Sequence, residues 1–130
     1  MDFSRPEPNP PPVTIIAWRM CHIIGSDLAL RSARYFGGPP FDADTFAYPG
    51  SASDALEMLD QGYAVWKAGV AGLDEAALSG TARERFGQVT MAALILHIQR
   101  KVIHHSAEIA LLRDLFRATQ RGRVPLTPSA

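Results

Sequence analysis

The sequence predicts an all-α chain, and three observations predict it. Apolar residues recur at three- and four-residue steps through three long stretches. Each stretch opens on a serine or threonine suited to cap a helix. No stretch keeps the two-residue alternation of a strand, although Val124–Leu126 could extend locally. The 130 residues are 47% hydrophobic and 20% charged, the balance of a single globular domain spanning 1–130.

The first element is a lead-in without regular structure. Residues 1–13 carry five prolines within the run MDFSRPEPNPPP, which removes backbone donors and favours an extended, polyproline-like path. Thr14 then caps a helix expected to run to Phe36, with Ile15, Trp18, His22, Ala29 and Ala33 on its inward face. Gly37, Gly38, Pro39 and Pro40 stop it. The following loop holds Phe41, Phe46 and Tyr48, rings expected to pack back on the helices.

Ser51 with Asp54 has the form of a capping box and opens the second helix. Its stripe of Leu56, Leu59, Tyr63, Trp66, Val70 and Leu73 reads as a packing seam. Asp74 caps a short turn through Leu78, and Ser79, Gly80 and Thr81 begin another loop. Thr90 caps the third helix, expected to reach about Ala118. Its stripe is Met91, Ile95, Ile98, Val102, His105, Ile109, Leu112 and Phe116. The tail, 121–130, has two prolines and no periodicity, and is expected to fray.

Charge and cysteine content exclude several function classes. Thirteen basic residues balance thirteen acidic ones, without the basic excess that nucleic acid demands. No apolar run approaches the roughly 20 residues of a membrane span. Cys21 is the only cysteine, so no disulfide framework exists, and a reducing cytoplasm is the expected compartment. No glycine-rich phosphate loop occurs, and Cys21 points about 100° away from His22 on a helix, against a Cys–His catalytic pair.

The histidines carry what chemistry there is. His22 and His105 both fall on inward stripes, where two imidazoles from facing helices can share a metal. The plain alternative for each is a hydrogen-bonded core histidine. A third ligand should lie one turn away on the same helix. Four residues before His105 stands Lys101, whose ammonium has no lone pair to give. Three after stands Glu108, a substitute ligand or an ordinary salt-bridge partner. His97 lies two turns off, and His104 points to the rim.

The segments TIIAWRMCHI and HHSAEIALLRDL resemble the DinB-like helical bundle superfamily, specifically the branch that includes mycothiol-dependent maleylpyruvate isomerase. The resemblance implies an antiparallel up-down helical bundle, often dimeric. It also implies zinc or nickel held by His22, by His105 and by a third ligand at the position of Lys101. The metal in such proteins activates a low-molecular-weight thiol. Lys101 departs from that pattern and makes the metal site degenerate, so the expectation is weak or absent metal binding, restored by Lys101→Glu. Relatives also carry a helix before the proline-rich stretch, which leaves three main helices here and an apolar groove. A homodimer is therefore expected to cover that groove. Two functions follow as expectations: a metal-dependent thiol transferase or isomerase with a degenerate site, or a non-catalytic helical module for dimerisation or binding.

Overall fold

The computed structural model describes residues 15–121. Its three main helices form the expected all-α antiparallel bundle. The first runs without a break through three segments: α1 (Ile16–Cys21), a π-helical stretch (His22–Ala29) and α2 (Leu30–Tyr35). The second main helix is α3 (Ala52–Ala71). A short α4 (Glu75–Ser79) leads into strands β1 (Thr81–Glu84) and β2 (Gly87–Thr90), and α5 (Met91–Arg121) closes the described chain. None of these helices is long and apolar enough to cross a membrane.

The hairpin corrects the all-loop reading of the segment after Ser79. Thr81 pairs with Thr90 and Glu84 with Gly87, antiparallel, leaving Arg85 and Phe86 as a two-residue turn. Gly87 takes φ +125°, a conformation an L side chain rarely adopts. With only four residues a side, the strands are too short to declare a period. They persist because Ala82 is fully buried in the main core and Tyr35 donates to the Arg83 carbonyl.

Caps behave as the residue types dictate. The Ser51 hydroxyl accepts from the Asp54 N–H at 3.1 Å, the Asp74 carboxylate from the Ala77 N–H at 2.8 Å, and the Thr90 hydroxyl from the Ala93 N–H at 3.2 Å. Thr14, the lead-in 1–13, Val124–Leu126 and the tail beyond Arg121 lie outside the described residues. Helix α5 continues three residues past the expected end at Ala118.

The inward faces differ from the expected stripes in all three main helices, because packing against neighbours selects the buried face from within each apolar repeat. In the first main helix the core residues are Met20, Ile23, Ile24 and Leu28, while Ile15 is exposed. In α3 the buried positions are Ala55 and Trp66, whereas Leu56 and Tyr63 face outward. In α5 Met91, Leu94 and Ile98 are buried and Phe116 is exposed.

One core cluster joins Ile23, Leu28, Trp66, Ala82, Met91, Leu94 and Ile98 across all three helices and the hairpin. A smaller one gathers Met20, Ile24 and Ala55 under the loop rings Phe46 and Tyr48. Phe41 and Phe46 pack at 5.1 Å, so the loop aromatics do return to the bundle. Close helix approach is set by Gly69, where a Cβ would come within 2.3 Å of the Phe36 ring, itself packed 5.2 Å from Trp66. The first main helix contacts α5 through α1 and α3 through α2, and its π stretch touches both. The widened turn therefore lies where the three helices meet.

Candidate metal centre

In a π-helix the backbone bonds run from residue i to i+5, one residue further than in an α-helix. The Leu30 N–H accordingly donates to the Gly25 carbonyl, five residues back. This changes which side chains share a face. At 3.6 residues per turn, positions five apart stand about 140° apart; across His22–Ala29 the wider turn brings His22 and Asp27 to one side. Arg31 anchors the stretch from outside, its Nη1 donating to the Ser26 carbonyl and its Nη2 bonding the Glu84 carboxylate at 3.0 Å.

The face so formed meets α5 at His105. The His22 and His105 rings stand edge to face with centroids 5.0 Å apart, and Trp18 stacks on His22 at 5.3 Å. His22 Nε2 lies 3.9 Å from Asp27 Oδ1. One ligand atom from each of His22, Asp27 and His105 falls within 4.8 Å of the others. Ligands of tetrahedral zinc at 2.0–2.1 Å sit about 3.3 Å from one another. Small side-chain rotations therefore convert this cluster into a three-ligand set.

Two buried atoms within it have no hydrogen-bond partner, Asp27 Oδ2 and His105 Nε2. Asp27 is 2% exposed and His105 7%. A buried polar atom left unpaired costs about 1–3 kcal/mol. Both belong to residues of the cluster and lack a partner that a cation would supply, so the donor set fits a metal.

The outer contacts orient the inner ones. His105 Nδ1 bonds Glu108 Oε2 at 2.8 Å, which directs Nε2 inward with its lone pair free when Nδ1 carries the proton. Arg19 grips the same carboxylate twice, Nε to Oε2 at 2.9 Å and Nη2 to Oε1 at 3.1 Å. Hydrogen bonds from His105 and then Arg19 hold the Glu108 carboxyl down at about 2. Burial, reinforced by the charges of Lys101, His105 and Arg31, lowers His22 to about 4, leaving a neutral imidazole at neutral pH. Burial raises Asp27, opposed by Lys101, Arg31 and His105.

The sequence-based candidates are thus distributed. His22 and His105 are brought together. Glu108 sits behind His105, bonded to its outer nitrogen, and also neighbours His104. Lys101 is half-buried one turn before His105, and no carboxylate among the described residues comes within 4.0 Å of it. His97 stands apart, bonded to Arg100 at 3.2 Å and packed on Phe86. Cys21 is half-buried, and burial pushes its thiol up, away from a reactive thiolate. Asp27 is the residue that sequence reasoning missed. The signal was a carboxylate five residues after a histidine, which acquires meaning only in a π turn.

The family model for the DinB superfamily matches residues 5–109, about four-fifths of the chain. Neither a curated protein nor a solved structure matches it.

Proposed function

The chain belongs to the DinB superfamily, and from that premise we propose that it is a divalent-metal protein whose ion is held by His22, Asp27 and His105. The observation that carries this reading is the pair of orphaned buried atoms, His105 Nε2 and Asp27 Oδ2, in one ligand-sized cluster. Three protein ligands leave a fourth position open, the pattern of a catalytic rather than a structural zinc site. A zinc or nickel ion there supplies Lewis acidity, lowering the pKa of water or of a small thiol at the open position.

The chain's own residues prepare that chemistry. Glu108 fixes the His105 tautomer, Arg19 fixes Glu108, and burial keeps His22 unprotonated and able to donate its lone pair. Asp27 supplies the anionic ligand in place of the residue that Lys101 displaces from α5. A thiol transfer or isomerisation reaction is the activity this arrangement supports best, in a reducing compartment such as the cytoplasm.

Lys101 supports the second reading, a helical module without chemistry, because its ammonium can balance Asp27 with no ion present. Self-association fits either reading. Leu96, Ile103, Leu111, Leu115 and Phe116 leave α5 apolar on its outside, a surface that a second copy would cover.

Elemental analysis and calorimetric titration with zinc and nickel separate the readings. The metal protein binds one ion per chain, and Asp27→Ala or His105→Ala abolishes binding. Absence of both bound metal and titration heat selects the module. Light scattering at micromolar concentration tests the dimer, which a stable species of about 14 kDa would overturn.

A further inference from the structure

We propose that Lys101 makes the open position of this centre a binding site for a small carboxylate, an inference that rests on the metal reading above. Lys101 stands three residues after the buried Ile98 and four before the buried His105, on the inward stripe of α5. It is half-buried and has no carboxylate within 4.0 Å among the described residues. One helical turn separates it from His105, so the two side chains leave the same face of α5.

The charge count then favours an anion. A divalent ion with two neutral imidazoles and one aspartate carries a single positive charge, and Lys101 adds a second. Glu108 offers little relief, since Arg19 already neutralises it. Two positive charges in a partly dry site attract a negative ligand far more strongly than a neutral one. A carboxylate suits this pair because it has two oxygens, one for the open position and one to accept from the Lys101 Nζ–H. Trp18, stacked on His22, gives such a ligand an apolar neighbour for its carbon skeleton.

The test loads the full chain with cobalt(II) as a visible reporter and titrates acetate. Acetate should change the cobalt spectrum saturably. Lys101→Met should weaken acetate about tenfold or more, with cobalt affinity held or increased, because a neighbouring charge is lost while the ligands remain. Lys101→Arg should retain acetate binding. Equal acetate affinity in the native protein and Lys101→Met overturns the proposal, as does a native cobalt spectrum that acetate leaves unchanged. Failure of the native chain to bind cobalt overturns the metal reading itself and this proposal with it.

Discussion

Two carboxylates are buried in this bundle to nearly the same degree and have opposite surroundings. The Glu84 side chain, 2% exposed, bonds Arg31 at 3.0 Å and the Tyr35 hydroxyl at 3.1 Å, with Arg34 at 3.7 Å. The Asp27 side chain, 3% exposed, has only His22 at 3.9 Å and one oxygen without a partner. Glu84 fastens the hairpin to α2 with both of its oxygens bonded. Asp27 is held among helices with one oxygen unbonded, its burial offset only by the charges of Lys101, Arg31 and His105. Burial alone therefore does not mark a functional carboxylate; missing partners do.

The contrast is broken most directly at Glu84. Glu84→Ala strands Arg31 and should cost about 3–5 kcal/mol of stability in chemical denaturation. A loss below about 1 kcal/mol would mean that the hairpin anchor is ornamental. Asp27→Asn should behave in the opposite way. It removes a poorly compensated buried charge, so the metal-free protein should be as stable as the native chain or more so. Zinc affinity should fall about a hundredfold, since a four-ligand site worth about 10–16 kcal/mol assigns roughly 3 to each ligand. Calorimetry and thermal melts on the same preparation read both effects.

Glu108→Gln sharpens the comparison from the outer contacts. It should lower metal affinity about 10- to 100-fold by loosening the His105 tautomer. A separate effect, on stability rather than affinity, is the pH dependence without metal. Unfolded chains protonate His22 near 6.5, whereas the folded protein resists until about 4. The His22 contribution is thus complete above 6.5 and drains as pH falls toward 4, opposed by Asp27, whose raised carboxyl takes up its proton earlier in the folded state. Urea midpoints measured with chelator present should fall across that window, and less so in His22→Gln.

Much of this was legible in the residues. Ser51, Asp74 and Thr90 announce their helices through cap chemistry that needs no tertiary context, and Gly37–Pro40 ends the first helix. His22 and His105 were readable as inward-facing because each falls on an apolar repeat. The hairpin was illegible because its stability comes from Ala82 and Glu84 reaching distant residues rather than from strand periodicity. Asp27 was illegible for a different reason. A 3.6-residue period placed it away from His22. The period failed where the site was built.

That failure has a genetic counterpart in the π stretch. A π turn is an α-helical turn carrying one additional residue, with the flanking α1 and α2 left in ordinary geometry. The difference between a helix that aims Asp27 at His22 and one that aims it elsewhere is therefore a single codon. A ligand supplied in this way can be gained by insertion or lost by deletion in one step, with Ile23, Ile24 and Leu28, core residues of the same stretch, re-aimed alongside it. Aligning such a chain with its relatives by substitution alone, without a gap, would shift every residue on one side of the turn by one position and overlook the ligand.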